Sequence, residues 1–306
     1  MNDFQTIADT QDRVGESPVW DVRAQRLWWV DIEGAFIRST VLDSAEAVQS
    51  WSMPERVGCI ALTPVQGQLI AAMETGIARV TLQADGQVVI DWLARIQHPA
   101  SGMRFNDGRC DANGRLWVGT MVMDMSLASD LGGLYCLDER GLTGPHVTGL
   151  LTPNGLGFSP DGRTLYLSDS HPKVQKIWAF DLEAASGNLT YRRLFVDMND
   201  WPGRPDGAAV DAIVEHVGEG LVGIVQPDLA IAQVAAAHHP RIGEGRAGEV
   251  DGLGQQRREG VDGGPHVGEV GGVGALGLRR PHAEEHHLRA RGRAIDAALD
   301  LDRKST

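Results

Sequence analysis

The sequence predicts an all-β fold, a six-bladed β-propeller of which four blades and the start of a fifth are legible. Three observations predict it: a recurring run that joins a turn to an apolar, aromatic strand, a repeat length close to one blade, and polar residues at one phase of that repeat. The run occurs as QRLWWVDI, GQLIAAME, GRLWVGTM and GRTLYLSD, with its leucine at Leu27, Leu69, Leu116 and Leu165. The intervals of 42, 47 and 49 residues are too long for a helical-hairpin repeat and close to the ~40–45 residues of a four-stranded blade. Between the runs lie GIARVTL, GGLYCLD and KIWAFDL, short segments rich in strand-forming residues, and the SPDG before Arg163 is a turn signal. At about 46 residues per blade a six-bladed ring takes about 276 residues, so a chain of 306 fits six blades better than four or eight.

The repeat stops near residue 211. All 17 aromatic residues lie at or before Trp201, whereas 19 of the 38 glycines and 7 of the 10 histidines lie after it. A blade without aromatic or regularly alternating apolar residues cannot fill the wedge between its neighbours, and glycine raises the entropy cost of ordering. The chain therefore divides into a propeller region, 1–211, and a Gly/Arg/His-rich, aromatic-free segment, 212–306, in which no blade strands are expected. The irregular, non-native character of this last third is that of a displaced reading frame or a rearranged gene end. Within it Gly272, Gly274 and Gly277 fit GxGxxG, but no apolar strand precedes them, so dinucleotide binding is not expected. His282, His286 and His287 form at most an adventitious metal cluster.

Composition excludes several function classes. A formal charge of -13 argues against a nucleic-acid partner, since duplex binding needs Lys and Arg to neutralise several phosphates at once. The first twenty residues lack a basic stretch followed by an apolar one, and no run approaches the ~20 apolar residues of a membrane span. A soluble, cytoplasmic protein without membrane contact is expected. Cys59, Cys110 and Cys136 are odd in number and lie in apolar runs, so buried reduced thiols are expected rather than a disulfide framework. A Ser-His-Asp hydrolase is disfavoured by the absence of a GxSxG elbow.

Each run is preceded by a segment expected to form the innermost strand of its blade: ESPVW, CIAL, NDGRCD, NGLGF and DGAAVD. Four of the five open with an oxygen ligand, Glu16, Asn106, Asn154 and Asp206, at spacings of 90, 48 and 52 residues, or two, one and one periods. Equivalent positions of a propeller converge on its axis. Two carboxylates and two amides meeting there suit a hard divalent cation, Ca²⁺, Mg²⁺ or Mn²⁺, and can admit Zn²⁺. Blade two, with Gly58 and Cys59 at this phase, leaves one side open for substrate and water. Taken singly, Asn-Asp-Gly, Pro-Asn-Gly and Pro-Asp-Gly are ordinary turn formers; the shared phase points to a site.

The segments GESPVW, RFNDGRCDANGRLWVGTM, TPNGLGFSPDGRTLYLSDS and GRPDGAAVD resemble, in order and spacing, the sugar-lactonase family that includes gluconolactonase, arabinolactonase and the senescence marker protein regucalcin, over residues 8–211. The resemblance implies one divalent ion held by Glu16, Asn154 and Asp206. It implies Arg104 and Asn106 beside the ion, touching substrate oxygens, and Asp124 at a sugar hydroxyl. Asp206 is the expected general base, with Asp107 sharing that task or forming a turn, and His171 is a candidate substrate contact.

The expected function is metal-dependent hydrolysis of a small-molecule sugar lactone to its aldonic acid, with activity lowered by the altered C-terminal third. Hydrolysis of another activated ester or organophosphate is the rival within the enzyme class. A non-catalytic metal- or sugar-binding propeller, or an inactive product of a damaged gene, stands outside it.

Overall fold

Five antiparallel sheets follow one another along the chain in a computed structural model that describes residues 7–41, 47–201, 203–210, 220–226 and 230–235. The first sheet is β1 Gly15–Asp21, β2 Arg26–Asp31, β3 Phe36–Val41 and β4 Gln49–Ser52, and the second β5 Cys59–Leu62, β6 Gln68–Ala72, β7 Gly76–Leu82 and β8 Val88–Arg95. The third is β9 Met103–Cys110, β10 Leu116–Val122, β11 Gly132–Asp138 and β12 Gly141–Leu150; the fourth is β13 Pro153–Phe158, β14 Thr164–Asp169, β15 Lys176–Leu182 and β16 Leu189–Asp197. Each is a meander with its strands in chain order, and the first strands β1, β5, β9 and β13 touch one another in succession, as the innermost strands of propeller blades do. These strands lie within Thr10–Gly274, one of two units of the chain; of the other, Met1–Asp9 with Ala275–Thr306, residues 7–9 alone are described.

The recurring apolar run is the second strand of each blade. It buries residues on both of its faces, which is why LWWV and LWVG read as continuous apolar segments rather than alternating ones. The core is a series of wedges between blades. Trp28, Ile37 and Trp51 meet Ile60, Leu69 and Val80 between blades one and two. Phe105, Leu116 and Val118 meet Cys59 and Ile77 between two and three. Trp117 and Leu134 meet Leu156, Leu165 and Phe180 between three and four, and Tyr166 and Ile177 pack with Ala208 and Val210 between four and five. A fully buried side chain of this size contributes about 1.5–3 kcal/mol, so the aromatic residues are concentrated where wedges must be filled.

Two expectations need correction. A fifth sheet holds three strands, β17 Arg204–Val210, β18 Gly220–Gln226 and β19 Ala230–Ala235, in that order. The propeller thus extends beyond residue 211, into a stretch in which no blade strands are expected from the composition. GLVGIVQ is rich in β-branched residues, but it lacks the aromatic residues that mark β2, β10 and β14. Cys110 is exposed, unlike Cys59 and Cys136, because β9 leaves the core at its outer end. A sixth blade and the glycine and histidine clusters after residue 235 lie outside the described residues. No helix among the described residues is long and apolar enough to cross a membrane.

Candidate active site

The inner strands present their polar residues through a shared irregularity. In β1, three steps from Glu16 to Val19 face two on β2; in β9 the extra residue falls between Phe105 and Gly108. In β13 it falls between Asn154 and Gly157, and in β17 between Pro205 and Ala208. Such β-bulges re-aim a side chain out of the pleat. The inner strand of blade two pairs with β6 without any offset, from Cys59 to Leu62, and this is the blade that carries no polar residue at the position. In blades one to four, five residues beyond this position, a polar side chain caps the turn to the next strand: Asp21, Thr63, Asp111 and Ser159 accept from the backbone N–H groups of Arg23, Val65, Asn113 and Thr164.

The bulges bring the residues together. Asn154 Nδ2 donates to Asp206 Oδ1 at 2.6 Å and approaches Ser170 Oγ at 3.4 Å. Asn106 Nδ2 donates to the Pro153 carbonyl at 2.8 Å, while its Oδ1 accepts from Arg104 Nη1 at 2.5 Å. The same Nη1 donates to the Phe105 carbonyl at 3.0 Å, and the buried Nε of Arg104 has no protein partner. Gly155, at φ +54°, permits a close approach of two inner strands: a Cβ there would lie 2.3 Å from the Asp206 carbonyl oxygen and 2.6 Å from Ser168 Oγ.

Three carboxylates, half-buried Glu16 and Asp107 and buried Asp206, lie within electrostatic reach of one another, with the guanidinium of Arg104 as a cationic neighbour of Glu16. Burial, then the charges of Asp206 and Asp107, push Glu16 up to about 8, against a smaller opposing effect of Arg104. Burial followed by the charge of Asp107 pushes Asp206 up to about 6. Burial also raises Asp107, although backbone N–H groups oppose the shift. An excess of buried acid is costly without a counter-charge, and carboxylate and amide oxygens are the donors that hard divalent ions take. A half-turn of the Asn154 side chain would present its oxygen instead of its NH₂. The residues therefore fit a divalent cation. No group of three or more His, Cys, Asp or Glu side chains has metal-ligating geometry among the described residues, so any such site relies on amides.

The remaining expected residues take different places. Asp107 directs its oxygens at backbone N–H groups, Oδ1 to Gly108 at 2.8 Å and Oδ2 to Leu156 at 3.3 Å, and so ties blade three to the bulge that carries Asn154. Asp124 is exposed and caps a single 3-10 turn, Met125–Leu127, through Ser126. His171 is buried, with both ring nitrogens engaged by backbone groups of Met125 and Lys173. At blade two, where an opening is expected, buried Gly58 packs against blade three: a Cβ there would lie 2.3 Å from the Phe105 carbonyl oxygen. Sequence reasoning missed Ser168, whose buried Oγ has no protein partner and which faces Asn154 across the strand pair. It also missed Ser17, whose Oγ accepts from Ile60 N at 3.1 Å and fixes the Glu16 bulge to blade two. The SDS at the end of the fourth apolar run was the available signal for the first.

A family model described as SMP-30/Gluconolactonase/LRE-like region matches residues 14–223. The chain is 33% identical over 206 residues to an L-arabinolactonase of Azospirillum brasilense, covering 67% of this chain and 66% of that protein. It is 36% identical over 200 residues to a 6-deoxy-6-sulfogluconolactonase of Pseudomonas putida, covering 65% of each. It thus spans just under two thirds of the length of these relatives. A calcium-binding regucalcin from Agrobacterium tumefaciens has a similar structure, with a TM-score of 0.65 and 25% identity over 73% of this chain and 71% of that one.

Proposed function

Because the chain belongs to the SMP-30/gluconolactonase/LRE-like family, we propose that its buried acidic cluster hydrolyses the lactone of a sugar acid with the help of one divalent ion. The observation that carries this reading is the hydrogen bond between Asn154 and Asp206 across two blades, with Glu16 of a third blade within electrostatic reach of Asp206 and Asp107. These three residues would hold the ion. When bound, such an ion supplies Lewis-acid polarisation of a carbonyl.

The chain's own residues divide the remaining work. Arg104 is held by its Nη1 contacts, and its guanidinium is the planar donor fork beside the acidic residues that would take substrate oxygens. Asn106, pinned between Arg104 and the Pro153 carbonyl, keeps that guanidinium in register. Asp206 is the proton acceptor for the attacking water: Asn154 orients one carboxylate oxygen, and burial raises its basicity. The proton then passes to the ring oxygen as the carbonyl carbon–oxygen bond breaks and the acid is released. Asp107, with its oxygens turned to backbone donors, is a positioning residue for the Asn154 bulge.

The test is acid release at constant pH from arabinono-, glucono- and galactonolactone, with Ca²⁺, Mn²⁺, Zn²⁺ or Mg²⁺ added. Metal-stimulated hydrolysis that a chelator abolishes is the expected result. A folded, metal-binding chain that hydrolyses none of these lactones would overturn the reading in favour of a binding propeller, and turnover of aryl esters or organophosphates alone would move the substrate class.

A further inference from the structure

His171 follows β14 and is 5% exposed. Its Nδ1 accepts the backbone N–H of Lys173 at 3.1 Å, and its Nε2 lies 3.0 Å from the Met125 carbonyl oxygen. An amide N–H can only donate and a carbonyl can only accept, so the ring is neutral with its proton on Nε2. Met125 belongs to the loop after β10, in blade three, and His171 belongs to blade four. The loop has little apolar anchorage: Leu127 and Leu131 are 64% and 44% exposed. At its base Met123 N donates to the Gly102 carbonyl at 2.9 Å, and at its tip the tie to another blade is His171. Segments with few buried contacts open easily, so their orientation depends on such ties.

The loop carries Asp124, whose Oδ1 is occupied by Ser126 N at 3.0 Å and Ser126 Oγ at 2.6 Å. That cap sets the carboxylate's direction and leaves Oδ2 to accept from a ligand. On its other side, His171 follows Ser170, whose Oγ is near Asn154 Nδ2. The imidazole therefore joins the Asp124 loop to the strand pair that presents Asn154.

We infer that His171 is a positioning residue: its imidazole latches the 123–131 loop to blade four and so holds the Asp124 carboxylate for the hydroxyl groups of a polyhydroxylated lactone. This rests on the lactonase reading above, with Asp124 as the hydroxyl contact. His171 touches no reacting atom, and its influence on substrate passes through Asp124.

His171→Asn separates the two bonds of the ring. The shorter side chain can still accept from Lys173 N but cannot reach Met125. In the full-length chain with Mn²⁺, KM for gluconolactone should rise about tenfold, the value of one hydrogen bond, with kcat within about twofold. KM for δ-valerolactone, which lacks hydroxyls, should not change. Asp124→Asn should give the same pattern, and the double variant should cost nothing further. His171→Gln, long enough to reach Met125, should restore part of the loss. Hydrogen exchange at residues 123–131 should accelerate in His171→Asn while the strands keep their protection. Equal losses on both lactones, additive effects, or unchanged exchange would overturn the latch. If the parent chain hydrolyses neither lactone, the lactonase reading fails, and the exchange measurement decides the latch by itself.

Discussion

Asn154 and Asp206 are 52 residues apart in sequence and joined by a 2.6 Å hydrogen bond between the inner strands of neighbouring blades. The bond couples the position of each side chain to that of the other, and Glu16 feels the charge of Asp206 from a third blade. Removing one member should therefore disturb more than one ligand. Asp206→Ala is expected to abolish lactone hydrolysis and to weaken divalent-ion binding by more than the about 10–100-fold typical of losing a residue that merely supports a ligand. Isothermal titration with Mn²⁺ and Ca²⁺ measures this.

Glu16→Gln should separate stability from binding. It removes a buried charge that burial and two neighbouring carboxylates make unfavourable, so the metal-free variant should melt above the parent at pH 8, by about 2–4 °C per kcal/mol gained. It should also lose the metal-induced rise in Tm. Thermal melts with chelator and with added ion check both halves.

Stability of the metal-free chain should fall as pH rises from about 5 to 8. Glu16 titrates at about 8 and Asp206 at about 6, both above their ordinary values. Between the ordinary and the folded values the folded chain binds more protons than the unfolded one, so each step up in pH favours unfolding, the reverse of an ion-paired carboxylate. Metal uptake must expel those protons, so affinity should increase over the same interval. Melting curves with chelator, and titrations in buffers of different ionisation heat, test the two statements.

Gly155→Ala should be far more damaging than Gly162→Ala. Both glycines have positive φ, +54° and +68°, but a Cβ at 155 would strike the Asp206 carbonyl and Ser168, whereas nothing lies within 4 Å of one at 162. The second substitution should cost about 1–2 kcal/mol of backbone strain alone, and the first about 1–3 kcal/mol more from overpacking. Denaturant melts give these values, and metal binding should survive only at position 162.

Asp107→Asn should lower stability by about 1–3 kcal/mol, because an amide NH₂ turned to the N–H groups of Gly108 and Leu156 leaves a buried donor unmet. Chemical denaturation measures the loss. The Asn154 bulge should loosen with it, read as weaker metal affinity.

The blades are legible in sequence because a strand covered on both faces must be continuously apolar, so Trp28, Trp117 and Tyr166 announce their strands. The convergence of Asn154 and Asp206 is legible from their spacing alone. β18 and β19 are not, since Leu221, Val222, Ile224 and Val225 carry strand propensity without the aromatic marker. Nor is the packing at Gly58, where a missing side chain reads as space but reflects a neighbouring backbone already in place. The ring of His171 and the oxygens of Asp107 are polar groups whose partners are main-chain atoms of other blades, and main-chain atoms leave no letter in a sequence.

Four inner strands run one residue long against their partners, at Glu16, at Asn106, at Asn154 and at Asp206. Deleting that single surplus residue, even a chemically plain one such as Ser17, would let the strand pair regularly with its partner and return the polar side chain to the pleat. Evolution along these stretches is accordingly freer in identity than in length.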